Sequence, residues 1–556
     1  NKTFTQVISD TNFINNLALT GQAVGGAIRI GHSEPTVNVT IRYCTFTGNV
    51  ALDQGGAVSA FLRGGTFVVD NNMFDGNAAD TGALRFSVSN HTNVTISNNT
   101  FQNNVATFGS AIRSFSTDSN ISIQSNWIHH NNATMNGVFY TNHVADSHFE
   151  ITHNLIEYNL GGNKSAGFYF DELNRTTLEF RDNIAQHNEG NWGTALMVVG
   201  WYNEDNGQIL VENNTFVNNT ARWSETGTCG VGLSNINNVG GAIALFVQNA
   251  NVTVRDCLFD TNNAPFGALY LETGVGAQIN VSGLTFRAGN YCMGALAARL
   301  ENGTILHISD SYFSDMTAYS GAAMLAQLYS GSVMEMRNVT FHNSSSDYTG
   351  GALSIIVESQ GQATVQNCTF TNNKAKYGGG AIALAFTPSQ VNISDCIVTG
   401  NHAGVNGGGF TIWGSDGVGV QVTRIAFSGN TLGNVTENDP SLIFPHSSAM
   451  VGYTEQQAIM SVTNCTFQGD ELEFGGSGLN VQEGNVVIPG AYTLYANATV
   501  VINVTLKIQV EGVATLKGTI EIHVTNFSDE KMTLMTFASS QGQFDQVMLV
   551  DESGQK

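Results

Sequence analysis

The sequence predicts an all-β protein, a parallel β-helix of about 16 coils followed by a β-rich C-terminal cap. Three observations support this prediction. A motif recurs about every 28 residues, apolar and polar residues alternate in short segments, and the chain has 61 Gly but only 6 Pro. Alternation with a period of two residues, bounded by Gly, Asn and Asp, is typical of strands joined by turns.

The recurring motif is Phe-x-x-Asn followed by Gly-Gly-Ala and an aliphatic residue, as at residues 46–49 and 55–58. Most copies are 27 to 31 residues apart, and wider gaps of 33, 43 and 40 residues indicate insertions. Leucine-rich repeats have a similar period, but no copy here has their leucine frame or a helical period. Each copy therefore predicts one coil with its Phe-type residue inside. The Phe-type positions are Phe13, Phe46, Phe74, Phe101, Ile128, Ile156, Ala185, Phe216, Phe259, Phe286, Phe313, Phe341, Phe370, Val398, Phe427 and Phe467.

An Asn or a Cys stands two residues before many of the Phe-type positions, where the coil must turn. Asn tolerates left-handed backbone geometry, and stacked Asn side chains can hydrogen-bond along a ladder. A Cys at the same place is a small apolar filler. We expect one ladder at this corner and a second at the Asn of Phe-x-x-Asn. The residues of the first ladder are Asn72, Asn99, Asn126, Asn154, Asn183 and Asn214, with Cys44, Cys257, Cys368, Cys396 and Cys465.

The repeat extends to about residue 480, and more strictly alternating segments follow it. We therefore expect a β-helix over 1–480, with insertions near 192–238 and 432–460, and a β-rich continuation or cap over 481–556. No run of 18 apolar residues is present, so no membrane-spanning helix is expected within these residues. The formal net charge of −23 disfavours nucleic acid as a partner, because neutralising phosphates requires Lys and Arg.

The paired motifs Phe-x-x-Asn and Gly-Gly-Ala-(Ile/Leu/Val) resemble the repeats of chlamydial polymorphic outer-membrane proteins. The resemblance covers roughly residues 13 to 480. It implies a pectin-lyase-like right-handed parallel β-helix on a cell surface, where such proteins often act in adhesion. Fold resemblance alone does not fix function.

Asn-x-Ser/Thr sequons are frequent and predict covalent N-glycans if the chain passes through a eukaryotic secretory route. An Asn- and Thr-rich sequence also makes sequons by chance. Four of the sequons lie eight residues before a Phe-type position, which places the Asn outward on a strand. They are Asn38, Asn93, Asn120 and Asn251. Asn367 and Asn464 are expected to be buried at ladder positions. The candidate sites are Asn38, Asn90, Asn93, Asn120, Asn132, Asn163, Asn174, Asn251, Asn280, Asn302, Asn338, Asn392, Asn434, Asn497, Asn503 and Asn526.

The chain has seven Cys, an odd number, so at least one is unpaired or pairs outside the chain. Only Cys229 and Cys292 lie off the first ladder, and we predict a disulfide between them. A Cys368–Cys396 disulfide, one coil apart, is the rival, and seven free thiols are the simplest alternative.

No catalytic constellation is apparent in the sequence, and no catalytic, metal-binding or cofactor-binding residue is predicted. The signatures of pectin-degrading enzymes that share this fold are missing. Turn aspartates at 182, 256, 310 and 395 are expected to shape corners and not to hold Ca²⁺. His130 and His187, with Tyr158 on the coil between them, could bind a metal but are more simply surface residues.

The candidate binding residues are the aromatic side chains in or near the widest insertion, because exposed aromatic rings stack on sugars or anchor protein partners. They are Trp192, Trp201, Tyr202 and Trp223. The alternative is that these side chains pack the insertion against the coils.

The sequence thus predicts an extracellular or cell-surface structural or adhesive glycoprotein, including a fibril subunit assembled through β-helix ends. Its expected partners are its own N-glycans, further copies of the chain, or other surface proteins and glycans. The alternative is a β-helix protein that binds or degrades polysaccharides.

Overall fold

The computed structural model describes most of the first 454 residues and, after them, mainly the strands. The described residues are 4–20, 23–31, 37–200, 207–222, 239–387, 389–414, 419–433, 448–454, 459–463, 465–468, 472–476, 479–481, 485–488, 492–494, 499–503, 507–516, 519–523 and 534–550. The chain divides into two compact units, Asn1–Asn290 and Tyr291–Lys556. Both predicted insertions lie partly outside the described residues.

Each coil has three faces. Face 1 is the strand before the Asn or Cys corner, face 2 is the Phe strand with the short strand after it, and face 3 is the strand after Gly-Gly-Ala. In one coil these are Val37–Arg42 for face 1, Thr45–Thr47 with Val50–Ala51 for face 2, and Val58–Arg63 for face 3. Strands of the same face in successive coils pair in parallel. The predicted right-handed parallel β-helix is therefore confirmed.

The strands of the first unit follow this order coil after coil. Face 1 comprises Phe4–Ser9, Val37–Arg42, Gly65–Asp70, Thr92–Ser97, Ser119–Gln124, His148–Thr152, Thr177–Arg181, Gln208–Glu212, Asn251–Arg255 and Gln278–Ser282. Face 2 comprises Asn12–Ile14, Leu17–Ala18, Thr45–Thr47, Val50–Ala51, Met73–Asp75, Ala78–Thr81, Thr100–Gln102, Val105–Phe108, Trp127–His129, Asn132–Asn136, Leu155–Glu157, Leu160–Gly161, Ile184–Gln186, Glu189–Gly190, Thr215–Val217, Thr220–Ala221, Leu258–Phe266 and Thr285–Met293, whose last residues belong to the second unit. Face 3 comprises Ile28–Gly31, Val58–Arg63, Leu84–Ser89, Ile112–Ser116, Phe139–Ala145, Phe168–Asn174, Leu196–Gly200, Ile243–Val247 and Leu269–Thr273.

The second unit repeats the plan. Face 1 comprises Ile305–Ser309, Val333–Arg337, Gln362–Gln366, Gln390–Ser394, Gly419–Thr423, Ile459–Thr463, Leu479–Val481, Thr499–Asn503, Thr519–His523 and Gln546–Val550. The other two faces comprise Tyr312–Ser320, Thr340–His342, Ser345–Ser346, Thr369–Thr371, Lys374–Ala375, Ile397–Thr399, His402–Ala403, Ala426–Ser428, Thr431–Leu432, Thr466–Gln468, Asn485–Ile488, Lys507–Leu516 and Met535–Gly542, with Leu296–Leu300, Met324–Leu328, Leu353–Val357, Ile382–Phe386, Phe410–Gly414, Met450–Thr454, Leu472–Gly476 and Tyr492–Leu494. Parallel pairing continues to Gln546–Val550.

The Phe-type residues stack inside the coils, as the repeat predicts. Phe46 pairs with Phe13 on one side and Phe74 on the other, and the ring centroids are 5.0 and 4.8 Å apart. Phe74 and Phe101 stack at 4.7 Å. The same register continues through Ile128, Ile156, Ala185, Phe216 and Phe259 in the first unit, and joins Phe313, Phe341, Phe370, Val398, Phe427 and Phe467 in the second.

Both predicted Asn ladders are present in the first unit. At the first corner, the backbone N–H and the side-chain Nδ2 of Asn99 both donate to Oδ1 of Asn126, at 3.0 Å each. The second corner has the longer ladder, which runs without a break from Asn49 to Asn262. The first ladder ends at Cys257, whose Sγ accepts the N–H of Asn214 at 3.5 Å. The buried backbone N–H groups of the corners thus find acceptors in side chains of the next coil.

The residue before each ladder position adopts left-handed backbone geometry, which turns the chain between faces. Asn71, Asn98 and Ser125 precede three first-ladder positions and have φ of 53°, 55° and 55°. Gly55, with φ of 65°, begins the turn into face 3, and a Cβ there would lie 2.4 Å from the carbonyl oxygen of Val58. The Gly of Gly-Gly-Ala is therefore required by geometry at this turn.

Candidate functional site

A row of cationic and aromatic side chains lies along the outer surface of face 3 in the first unit. The second residue of each strand forms this row, and Arg85, Arg113, Tyr140 and Tyr169 are in register with one another. Strand residues alternate between the two sides of a sheet, so these four point away from the core. All four are nevertheless buried, with 4–7% of their surface exposed.

Two aromatic side chains from the fourth position of the strands help to cover the arginines. The guanidinium carbon of Arg85 lies 4.0 Å from the ring centroid of Phe61 and 5.1 Å from that of Phe115. The guanidinium carbon of Arg113 lies 4.3 Å from the ring centroid of Phe115 and 3.8 Å from that of Tyr140. A cation over an aromatic face gains roughly 0.5–2 kcal/mol, so these rings partly offset the cost of burying two charges.

Polar contacts leave much of both guanidinium groups unsatisfied. Nη2 of Arg113 donates to Oδ1 of Asn142 at 2.6 Å, and the hydroxyl of Tyr140 donates to Oδ2 of Asp171 at 3.3 Å. Nε and Nη1 of both Arg85 and Arg113 are buried without a hydrogen-bond acceptor. Neither arginine forms an ion pair with a carboxylate of the described residues.

Burial lowers the pKa of Arg85 and of Arg113 to about 10 because water no longer solvates the charged forms. Asp53 opposes the shift at Arg85, and the charge of Arg85 adds to it at Arg113. Both pKa values still lie well above 7, so both side chains carry a positive charge at neutral pH. The site therefore holds two adjacent cations with unused donors.

The row continues toward the one predicted binding residue that the structure describes. Tyr140 and Tyr169 stack with centroids 5.1 Å apart. Farther along, Nζ of Lys164 lies 4.1 Å from the ring centroid of Trp192. The ring centroids of Trp192 and Phe246 are 5.4 Å apart. Trp192 is half-buried against the coils, and its predicted role in binding stays a prediction. Trp201, Tyr202 and Trp223 lie outside the described residues.

Sequence reasoning missed the two arginines because they are 28 residues apart and belong to no known motif. A signal was nevertheless present. Arg85 follows Ala83 by two residues and Arg113 follows Ala111 by two, just after the Gly-Ala of one repeat and the Gly-Ser-Ala of the next. Once the repeats are aligned, equal offsets from that Ala place both side chains in one row.

A second aromatic surface lies on face 2, around the His and Tyr residues that the sequence singles out. His130 stacks on Tyr158 at 5.3 Å, and Tyr158 stacks on His187 at 4.8 Å. Trp127 stacks on His129 at 4.0 Å. Trp127 and Tyr158 are 44% and 46% exposed. Among the described residues, no group of three or more His, Cys, Asp or Glu is arranged to hold a metal ion.

The turn aspartates have the geometry of corner residues. Asp182, Asp256, Asp310 and Asp395 have φ between 51° and 57°, in the left-handed region. Asp310 accepts a hydrogen bond from Nδ2 of Asn338 at 3.1 Å, on the next coil. These carboxylates therefore stabilise turns between coils.

The described sequons mostly lie on the surface. Asn93 and Asn120 are neighbours in register on face 1, and Nδ2 of Asn120 donates to Oδ1 of Asn93 at 3.0 Å. Exposed sequons are Asn90, Asn93, Asn120, Asn132, Asn163, Asn251, Asn280, Asn302, Asn338 and Asn392, and half-buried ones are Asn38 and Asn174. Asn503 lies on a strand, and Asn434, Asn497 and Asn526 lie outside the described residues.

The expectation that Asn367 is buried at a ladder position is wrong. Cys368 occupies the ladder, and Asn367 is the left-handed residue before it, with φ of 53° and an exposed side chain. Its Nδ2 donates to Oδ1 of Asn338 at 2.6 Å. The error arose because two neighbouring residues compete for the corner and only one can face inward. Asn464 lies outside the described residues.

Five cysteines are buried and form no disulfide: Cys44, Cys257, Cys368, Cys396 and Cys465. The rival disulfide between Cys368 and Cys396 is therefore absent. Burial raises the pKa of Cys257 to about 12, so its thiol stays protonated at neutral pH and acts as an apolar filler of the ladder. Cys292 is buried, and Cys229 lies outside the described residues. The disulfide between these two stays a prediction.

Within the described residues, no helix is long and apolar enough to cross a membrane.

Residues 282–432 match the family model of the right-handed β-helix region. Residues 43–60 match that of the Chlamydia polymorphic membrane protein repeat. A comparison with curated proteins finds no match. The chain is therefore a right-handed parallel β-helix protein that carries a repeat similar to those of chlamydial polymorphic membrane proteins.

Proposed function

We propose that the chain is a surface-displayed adhesive β-helix glycoprotein that binds its partner through the outer side of face 3. The observation that carries this proposal is the cation–aromatic row of face 3, where the half-buried rings of Phe61 and Phe115 cover Arg85 and Arg113 on one face of an acidic chain. Aromatic and Arg side chains dominate the energetics of protein recognition sites. The match to a polymorphic membrane protein repeat supports a surface location.

Glycans on face 1 would complement this arrangement. The outward row of face 1 carries Asn93, Asn120 and Asn251, which are exposed, while the cation–aromatic row lies on face 3. Sugars on face 1 would leave face 3 open to a partner. Glycopeptide mass spectrometry of the chain from a eukaryotic secretory host tests occupancy. Unmodified exposed sequons on face 1 would contradict this part of the proposal.

Two experiments test the proposal itself. Antibodies against residues 37–200 are expected to label intact, non-permeabilised cells that express the protein. Beads coated with the chain are expected to adhere to host cells or to neighbouring cells, and soluble chain is expected to compete. Labelling only after permeabilisation would contradict the surface location, and beads that adhere no better than albumin-coated beads would contradict adhesion.

Binding of neutral polysaccharides is a second candidate function, favoured by the exposed aromatic stacks of face 2. Trp127, which is 44% exposed and stacks on His129, offers a ring face of the kind on which sugars stack. A screen of polysaccharides for binding and for cleavage tests it, with Trp127→Ala as the variant. Absence of both binding and cleavage would remove this candidate.

Fibril assembly through β-helix ends is also part of the proposal, because unpaired strand edges invite further pairing. Light scattering of the purified chain over a range of concentrations tests it. A monodisperse monomer at high concentration would contradict assembly.

A further inference from the structure

A cavity of about 250 Å³ opens on the outer side of face 3 in the second unit. Ile356, Ala385 and Trp413 are in register on three successive strands, at the fourth position of each, so all three point outward. Trp413 is 42% exposed and Ile356 is half-buried, whereas Ala385 between them has only a methyl group. The outer two strands are about 9.6 Å apart, twice the strand spacing of about 4.8 Å. The small residue therefore leaves a notch, with the Trp ring as one wall.

One end of the notch carries a carboxylate. Glu358 and Thr387 directly follow two of these strands, and both line the cavity. Glu358 is half-buried, and no Lys, Arg or His of the described residues lies within ion-pair distance of it. Arg299, two coils earlier on face 3, is paired with Glu301 at 2.8 Å. The notch thus presents an uncompensated negative charge beside an exposed aromatic ring.

This combination selects a cation as the ligand. The face of an aromatic ring attracts a cation through its quadrupole, and Trp does so most strongly. The carboxylate of Glu358 adds direct attraction, and the described residues that line the cavity include no Lys or Arg. The net charge of −23 also raises the concentration of cations around the chain and repels anions. A cationic group is therefore favoured over a neutral or an anionic one.

The apolar lining selects the kind of cation. Glu358 and Thr387 are the polar side chains of the cavity, and the rest of its described lining is apolar apart from the indole N–H of Trp413. A primary ammonium has three N–H donors, each of which needs an acceptor once water is displaced. A sugar likewise brings several hydroxyls that would meet few partners here. A trimethylammonium group has no N–H donor, presents only methyl groups to the apolar wall and keeps its full charge.

We propose that the notch beside Trp413 binds the trimethylammonium group of a choline headgroup. The ring of Trp413 contacts the methyl groups, the carboxylate of Glu358 balances the charge, and Ala385 leaves the room. This inference goes beyond the proposed adhesive function, because it concerns another unit of the chain and does not use the cation–aromatic row. It predicts direct binding of free choline by the purified chain.

The first test compares choline with two analogues by isothermal titration of the unaltered full chain. 3,3-Dimethylbutan-1-ol has the shape of choline with carbon in place of the charged nitrogen, and ethanolamine has the charge without the methyl groups. Both are expected to bind at least about threefold more weakly than choline. Equal binding of choline and dimethylbutanol, or no binding of choline, would overturn the proposal. Tighter binding of ethanolamine or of methyl glucoside would overturn the assignment to a quaternary ammonium.

Vesicles identify the molecule that carries the choline. The chain is mixed with phosphatidylcholine vesicles and with vesicles in which phosphatidylethanolamine, which lacks the methyl groups, replaces most of that lipid. Cosedimentation that falls with this replacement would assign the ligand to a membrane. Binding of soluble phosphocholine without cosedimentation would assign it to a soluble or polymer-linked choline. Either result supports the site, and equal cosedimentation with both vesicles would contradict recognition of the methyl groups.

Substitutions locate the site. Trp413→Ala and Glu358→Gln are each expected to weaken choline binding by at least about threefold. Ala385→Ile repeats the Ile356 of the preceding coil and fills the notch. It is expected to abolish binding while the ring and the carboxylate stay in place. Unchanged binding by all three variants would overturn the proposal.

The matched controls are Tyr377→Ala and Glu301→Gln, which are expected to leave choline binding unchanged. Tyr377 is 43% exposed in the same unit but does not line the cavity. Glu301 follows the equivalent strand two coils before Glu358. Equal losses in control and site variants would contradict the placement of the site. Circular dichroism establishes that the variants fold, and the comparison of choline with dimethylbutanol needs no variant.

This proposal and the adhesive function fail separately. Choline binding without bead adhesion would overturn the adhesive function and leave the site standing. Bead adhesion by a chain that does not bind choline would overturn the site and leave the adhesive function standing.

Discussion

The Asn ladder makes its sharpest prediction at Asn131, in the middle of the second corner. Its Oδ1 accepts the backbone N–H and Nδ2 of Asn104 at 3.1 and 2.9 Å. Its Nδ2 donates to the carbonyl oxygens of Phe101 and His129 at 2.9 and 3.0 Å and to Oδ1 of Asn159 at 3.1 Å. Asn131→Ala therefore removes the acceptor of two buried N–H groups of Asn104, the backbone N–H and one N–H of Nδ2, whose other N–H keeps its bond to the carbonyl oxygen of Phe74 at 3.0 Å.

Each orphaned buried group costs about 1–3 kcal/mol, so the two donors together cost about 4 kcal/mol. In a solenoid each coil contacts only its neighbours, so we expect local opening of the coils near Asn131 to become about a thousandfold more frequent. Hydrogen–deuterium exchange of peptides that cover residues 99–108 measures this change. Unfolding by denaturant is less suitable, because a long repeat array need not unfold in one step.

Gln124→Ala is the matched control, because Gln124 lies on face 1 of the same coil and is exposed. It is expected to leave exchange at residues 99–108 unchanged. The reasoning fails if Asn131→Ala alters exchange in this segment no more than Gln124→Ala does, because the ladder would then contribute nothing to local stability.

Three further predictions concern the core, the disulfide and pH. Phe101→Ala is expected to cost about 3–5 kcal/mol of local stability, seen by hydrogen exchange, because its ring is fully buried in the Phe stack. Mass spectrometry after non-reducing digestion is expected to show a peptide that links Cys229 to Cys292. Arg424 holds the pKa of Asp395 at about 2, below its usual 3.8, so the stability this pair contributes is present above about pH 4 and is lost as the pH falls toward 2. The acid-induced loss measured for the unaltered chain is expected to be smaller in the Asp395→Asn variant.

Each of these predictions has a contradicting outcome. Phe101→Ala with unchanged exchange would mean that the stack is not the core of its coil. Alkylation of Cys229 or Cys292 in the unreduced, unfolded chain would exclude their disulfide. Identical acid titrations of the unaltered chain and the Asp395→Asn variant would show that the ion pair with Arg424 does not contribute to stability.

The sequence alone was sufficient to predict the register of the coils. Phe46, Phe74 and Phe101 each follow the corner Asn or Cys by two residues. In the structure they are paired in register on neighbouring strands. The prediction succeeds because parallel coils repeat the same corner at every turn. Residues at the same place in the motif therefore pair, although they are far apart in the sequence. Where two candidates for the ladder stand side by side, as Asn367 and Cys368 do, pattern alone does not decide which residue faces inward.

The cation–aromatic row of face 3 was less predictable than the fold. Arg85 and Arg113 come together only because neighbouring coils align them, and their burial depends on Phe61 and Phe115 from other positions of the repeat. No local motif encodes that combination. Trp192 was recognisable as an aromatic residue near an insertion, but its contact with Lys164 depends on the path of the coil before it.

Distances between spin labels test the stacking of coils in register most directly. Arg42, Gln124 and Arg255 occupy one row of face 1 in the first unit and are exposed. Arg255 is seven coil steps from Arg42 and four from Gln124, which at about 4.8 Å per step predicts separations of about 34 and 19 Å. Electron paramagnetic resonance on the two doubly labelled variants is expected to give distances in that ratio. Distances that do not increase with the number of intervening coils would contradict the parallel β-helix.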